Sequence, residues 1–118
     1  MTYEEMVLKV RNVFENSDAR EVYEHVVVQV NVTGEASGIF YIEIAERKIC
    51  VEPYDYYDRD ALVTIDTKDL CDIVEGRISY EEAGKINSYS IVGDPYKISL
   101  LNKIKLSNRK KTNDGGNS

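Results

Sequence analysis

From Val26 to Pro53 apolar residues recur at every second position in three successive runs. They are Val26, Val28, Val30 and Val32, then Phe40, Ile42 and Ile44, then Ile49 and Val51. A period of two lays each set on one face of a pleated strand. The spacing predicts strands over Val26 to Thr33, Gly38 to Ala45 and Lys48 to Pro53. Thr33-Gly34-Glu35-Ala36-Ser37-Gly38 and Ala45-Glu46-Arg47 form the turns between them. The outcome is a meander with one apolar face, which the rest of the chain or a partner has to cover.

The covering elements are legible on either side. Thr2 to Asn16 reads as an amphipathic helix, with Thr2 and Glu5 as a capping box and Tyr3, Met6, Val7, Val10, Val13 and Phe14 on one stripe. Ser17 to His25 is a connector with room for a short helical turn. Ala61, Val63 and Ile65 alternate as a fourth strand. Asp66 is placed to cap a helix over Thr67 to Glu75, whose inner stripe is Leu70, Ile73 and Val74 and whose exit is Gly76. Ser79 and Glu82 form a second capping box before a short helix, and Gly84 inside it implies close packing or space left open. Tyr89 and Ile91 mark a fifth strand. Asp94 and Pro95 start a last helix with Ile98, Leu100, Leu101 and Ile104 on its apolar stripe. Residues 1–106 thus read as one domain, and 107–118 as a polar, disordered tail.

Charge narrows the class. The net charge of -6 argues against nucleic acid as a partner. Its distribution is uneven: residues 1–95 carry 9 basic and 20 acidic side chains, residues 96–118 carry 6 and 1. The basic end, centred on Arg109-Lys110-Lys111, has two readings: weak contact with an anionic membrane surface, or simple solubilisation of a frayed terminus. Cys50 and Cys71 are too few for a disulfide framework and have no zinc spacing, so they read as packing residues of a reducing compartment. Without a secretory signal or a long apolar run, the expectation is a soluble cytoplasmic protein.

Chemistry finds little purchase in these residues. There is no phosphate loop or serine elbow, and neither cysteine is spaced to pair with His25, the single histidine. His25 reads as a surface residue. Tyr54-Asp55-Tyr56-Tyr57-Asp58-Arg59-Asp60 holds three carboxylates, but lacks the glycine and closing glutamate of a calcium loop. It reads as a solvated loop, with a partner-contact surface as the second reading. No catalytic residue, metal ligand or cofactor is expected.

In order and spacing the chain resembles the sterol carrier protein type two family over roughly Val26 to Leu106. The resemblance rests on Val28-Gln29-Val30-Asn31-Val32-Thr33-Gly34-Glu35, Phe40-Tyr41-Ile42-Glu43-Ile44 and Lys48-Ile49-Cys50-Val51-Glu52-Pro53. It continues through Ala61-Leu62-Val63-Thr64-Ile65, Asp69-Leu70-Cys71-Asp72-Ile73-Val74-Glu75-Gly76-Arg77-Ile78 and Ile91-Val92-Gly93-Asp94, and the ten-residue step from Ala83 to Gly93 also suits it. The resemblance implies an α+β domain: a five-stranded, mostly antiparallel sheet with helices on one face and a hydrophobic tunnel between them. It also implies non-enzymatic binding or carrying of a fatty acid, acyl-CoA, sterol or other lipid. Two departures stand out. Asn87 replaces a frequent glycine, and Lys97 and Ser99 occupy commonly apolar positions of the last helix, which points to a tunnel mouth that is narrower, more polar or closed.

The residues that converge from sheet and helices are Phe40, Ile42, Ile73, Val74, Ile78, Tyr80, Ala83, Ile86, Leu101 and Ile104, and these are the expected ligand lining. Tyr80 or Tyr89 offers a hydroxyl to a ligand head. The alternative function is an interaction or dimerisation module of a larger assembly without bound lipid. Its surface would be the opposite sheet face, with Val27, Ile39, Tyr41, Cys50 and Leu62 among Gln29, Asn31, Glu43 and Thr64.

Overall fold

The alternating runs pair into one sheet. The structure, a computed structural model, describes residues 1–108. Strands β1 (Val26–Thr33), β2 (Gly38–Ala45), β3 (Lys48–Glu52), β4 (Ala61–Asp66) and β5 (Tyr89–Gly93) lie in the order β3-β2-β1-β4-β5. All neighbours are antiparallel except β1 and β4, which run parallel with Val28 opposite Ala61 and Val32 opposite Ile65. The sheet is mixed and mostly antiparallel, and with its helices makes an α+β domain. A parallel neighbour cannot be reached by a tight hairpin. The chain therefore leaves β3 through residues 54–60, crosses the sheet and re-enters beside β1.

The helices are α1 (Tyr3–Phe14), α2 (Thr67–Val74), α3 (Tyr80–Lys85) and α4 (Pro95–Leu100). Both predicted capping boxes are formed, Thr2 with Glu5 and Ser79 with Glu82, and Asp66 and Asp94 cap α2 and α4. The core joins Met6, Val7 and Val10 of α1 to the even-numbered positions of β1 and β2 and to Leu70, Ile73 and Val74 of α2.

Two polar devices fix this arrangement. At the end of β1 the buried Thr67 hydroxyl donates to the Thr33 carbonyl (2.7 Å) and accepts from the Ala36 amide (3.0 Å), tying the turn after β1 to the start of α2. Gly34, at φ 91°, belongs to the same knot, where a Cβ would sit 2.5 Å from Asp66 Oδ1. At the β3 edge, α1 supplies side chains in place of a missing strand. Glu15 accepts from the Val51 amide (2.8 Å), and Arg11 donates to the Val51 carbonyl (2.9 and 3.2 Å).

Several expectations are corrected. The connector Ser17 to His25 forms no helix; it turns at Ala19 to Val22, both buried in the core, and Asp18 bridges to Lys105. The loop read as solvated is exposed at Tyr54, Asp55, Tyr57, Asp58 and Arg59, but Tyr56 and Asp60 anchor it to the second sheet face. Tyr56 packs edge-on against Tyr41 at 4.9 Å and its amide donates to Gln29 Oε1, while Asp60 accepts from the Val27 amide. Tyr54 and Tyr57 remain exposed. This packing leaves Val27 1% exposed and Gln29 5% exposed, so neither belongs to an open face. The last helix stops at Leu100, and Leu101–Lys103 form a 3-10 turn before the chain extends at Ile104. Ser107 and Asn108, expected to begin the tail, are held in place. Ser107 bonds to Ser17 and to the Val13 carbonyl, and Asn108 to the Ile73 and Val74 carbonyls. The rest of the tail, with Arg109-Lys110-Lys111, lies outside the described residues.

Removing the Glu15 carboxylate leaves the part-buried Val51 amide without its partner. Glu15→Ala should lower unfolding free energy by about 1 kcal/mol, read as a lower midpoint at unchanged slope in urea denaturation.

Candidate functional site

Four short helices do not close over five strands, and the space they leave is a cavity of about 660 Å³. Its floor is Val28, Val30, Phe40, Ile42, Val63 and Ile65 from the central strands. Val10 and Phe14 of α1 and Leu70 and Ile73 of α2 form one wall. Ile78, Tyr80 and Tyr89 form another, and residues 101–106 with Asn108 complete the enclosure. The interior is hydrocarbon, and the charged lining residues Glu21, Arg77, Glu81, Glu82, Lys103 and Lys105 come from loops, helix starts and the C-terminal segment.

Of the expected lining, Phe40, Ile42, Ile73, Ile78, Tyr80, Leu101 and Ile104 do line the cavity. Val74 and Ala83 are fully buried but form none of its wall, because they pack into the core beside it. Ile86 is 65% exposed: it caps the C-terminus of α3 and points away. Leu101 and Ile104 reach the cavity from the 3-10 turn and the extended stretch after it, not from a helical stripe. Lys97 and Ser99 do not touch the cavity. The Lys97 ammonium bonds the His25 carbonyl (2.8 Å) and Asp60 Oδ1 (3.3 Å), and Ser99 is exposed. Asn87 sits at φ 59°, the left-handed conformation that asparagine tolerates better than most residues.

Val28, Val30, Val63 and Ile65 were readable as inward by their period but not as cavity floor. Ile104 was readable only as part of a helical stripe and Lys105 and Leu106 not at all, because the chain after the 3-10 turn runs as an extended strap. The strap is anchored by the Asp18–Lys105 backbone pair, by Ser107 on α1 and by Asn108 on the C-terminus of α2.

The polar groups at the cavity are largely engaged. Arg77 is paired with Asp72 (2.8 Å) and with Glu75; its guanidinium holds the Asp72 carboxyl below the usual range, and Lys9 (2.7 Å) first and then Arg77 do the same for Glu75. Tyr80 and Tyr89 stack at 5.3 Å with planes 8° apart, and the Tyr89 hydroxyl donates to the Tyr80 carbonyl at 3.3 Å. Burial raises the pKa of both, and for Tyr89 the contact with Tyr80 adds to it. Gly84 explains itself here: a Cβ would lie 2.8 Å from the Tyr89 hydroxyl, so the glycine makes room for this pair. The candidate nucleophiles lie elsewhere. His25 pairs with Glu43 at 2.6 Å on the surface, Cys50 and Cys71 are outside the cavity, and burial pushes the Cys50 thiol up to about 11.

The same arrangement of sheet and helices occurs in solved structures. The palmitated sterol carrier protein 2 like 2 of Aedes aegypti aligns with a TM-score of 0.59 at 17% identity, over 82% of this chain and 88% of that one. This chain has the sterol carrier protein type two fold. The sterol carrier protein-like domain also aligns with UbiJ-SCP2, a ubiquinone synthesis protein, with a TM-score of 0.58 at 17% identity over 84% of this chain and 88% of that one. A third match, at TM-score 0.59 and 12% identity, covers 75% of this chain but 14% of the sec-alkyl sulfatase PisA1, where the fold is one part of a larger enzyme. No protein-family profile and no curated protein matches the sequence.

A phenol whose pKa is raised on folding stabilises the folded state fully below its unfolded value of 10.0. That contribution is lost as pH climbs from there through the folded value. Stability of the sterol carrier protein-like domain should therefore fall above pH 10, and less steeply in Tyr89→Phe. Tyrosinate absorbance should show one late-ionising tyrosine in the parent that Tyr89→Phe lacks.

Proposed function

We propose that this domain binds and carries a small apolar molecule in the cavity between sheet and helices, without changing it chemically. The observation that carries the reading is the cavity itself. At about 660 Å³, with an apolar floor and polar groups confined to loops and helix starts, it falls within the range of about 300–1,000 Å³ typical of small-molecule sites. A fatty acid, an acyl-CoA, a sterol or another lipid fits this chemistry. An alkyl chain of about twelve methylenes gains on the order of 10 kcal/mol gross on leaving water, before the cost of association. The mosquito relative described as palmitated has the same fold, which supports an acyl chain as one such guest.

Phe40, Ile42, Ile73, Ile78, Tyr80, Leu101 and Ile104 are the proposed contacts, joined by Val30, Val63 and Tyr89. Placement supports the non-enzymatic reading: His25 and both cysteines lie away from the cavity, and burial raises the pKa of Tyr80 and Tyr89. Both cysteines are free thiols, which suits a reducing cytoplasmic setting. Among the described residues no helix is long and apolar enough to cross a membrane. Lys103 and Lys105 stand at the cavity, and the sequence continues from Asn108 into Arg109-Lys110-Lys111. Contact of this basic end with an anionic lipid surface is part of the proposal, each basic residue near such a surface contributing about 1 kcal/mol.

Two tryptophan variants test the carrier reading. Ile78→Trp, in the cavity wall, should weaken uptake of a fluorescent fatty acid at least about tenfold, equivalent to ~1.4 kcal/mol. Ile86→Trp, on the outside of α3, should leave it unchanged. Equal uptake by both folded variants, or native mass spectra of the purified protein that never show co-purified or added lipid, would refute it.

A further inference from the structure

Two hollows of different character meet at one pair of residues. Besides the apolar cavity, the molecule has a more open groove, and among the described residues the two share Ile65 and Tyr89 and no other lining residue. The rest of the groove is mostly polar, with Thr33, Thr64, Asp66, Asp69, Asn87 and Ser88 along it. Ile65 and Tyr89 lie opposite each other at the end of the β4–β5 ladder. Residues directly opposite in an antiparallel pair present their side chains on the same face. The pair is therefore a single partition between the apolar hollow and the polar one. Ile65 is buried and belongs to the floor, so the larger part of the partition is the Tyr89 ring.

We propose that Tyr89, braced by Tyr80, is the end wall that sets how long a guest the cavity accepts; the inference rests on the carrier reading of that cavity. The ring is fixed from more than one direction. Tyr80 stacks on it at 5.3 Å with planes 8° apart, and the Tyr89 hydroxyl donates to the Tyr80 carbonyl at 3.3 Å. Gly84 admits that hydroxyl, since a Cβ there would lie 2.8 Å from it. A side chain held in this way resists the push of an alkyl end. Beyond it a chain gains nothing: the groove is open and lined largely by hydroxyls, carboxylates and an amide, so a methylene that entered it would stay in water. The gain from burying methylenes therefore accrues only as far as the ring. A wall of this kind measures guests by length, which makes a single-chain amphiphile the class it discriminates among.

Saturated fatty acids of about eight to about twenty carbons, competed against a fluorescent fatty acid, read methylene by methylene what burial in the cavity contributes. In the parent, affinity should rise about fourfold for each added methylene, equivalent to ~0.8 kcal/mol, and then reach a plateau. Tyr89→Val keeps a residue that suits a strand. It should move the plateau to chains longer by about two methylenes or more, because the space a ring vacates is only partly refilled by its surroundings. Circular dichroism and thermal melting establish folding, and Tyr89→Leu carries the same expectation where the valine variant does not fold. Ser90→Val, on the groove side of the partition, should leave the plateau in place. A parent that takes up no fatty acid of any length refutes the underlying carrier reading. Uptake by the parent without a plateau, a plateau that a folded Tyr89 variant leaves unmoved, or one that Ser90→Val moves equally overturns the end wall while the carrier reading stands.

Discussion

The mismatch between a wide apolar floor and a roof made of short pieces governs this molecule. Five strands spaced about 4.8 Å apart span roughly 19 Å. At about 1.5 Å per residue, α1 with 12 residues covers that width, whereas α3 and α4 with 6 residues each cover less than half of it. The pieces cannot be fused, because each ends where the sequence demands it: Gly76 in left-handed geometry after α2, Asn87 after α3, Pro95 at the start of α4. A fragmented roof leaves its inner side chains touching on one side only, and the unfilled volume collects over β1, β2 and β4. The cavity follows from helix lengths before any ligand is considered.

A fragmented roof has to be held in place by polar contacts between pieces. The Thr67 hydroxyl joins β1 to α2, Arg11 and Glu15 join α1 to β3, and Asn108 joins the strap after α4 to α2. Each of these bonds uses a backbone group that a longer helix or another strand would have satisfied. The strap from Leu101 to Asn108 belongs to this set. It closes part of the cavity while replacing the turns that α4 lacks.

The strands were legible because a period of two repeated across three runs has few competing explanations; β1 and β2 fall on the residues that the alternation marks. The helix starts were legible for a similar reason, since Thr2-Glu5, Asp66, Ser79-Glu82 and Asp94 are local signals that need no tertiary partner. Contacts without a period escaped. Ala19 and Val22 are core residues in an irregular connector, and Tyr56 and Asp60 bind a sheet face that lies far away in sequence. Within the site, Ala83 and Ile86 were placed by helical phase alone. Yet in a helix six residues long a small rotation separates a core position from a surface one, and here Ala83 is fully buried while Ile86 is 65% exposed.

The cavity's chemistry also constrains how it can choose a guest. Its floor is aliphatic and phenylalanine side chains, and of the polar groups near it Arg77 is already paired with Asp72 and Glu75, while the Tyr89 hydroxyl is bound to Tyr80. A ligand that needed the Tyr89 hydroxyl would first have to break its part-buried bond to the Tyr80 carbonyl, at a cost on the order of 1–3 kcal/mol, whereas the Arg77 pairs are exposed and screened by solvent. Discrimination between apolar guests then rests on length and volume, for which one methylene counts about 0.8 kcal/mol. On the proposed carrier reading, such a site sorts a class of molecules rather than a single one.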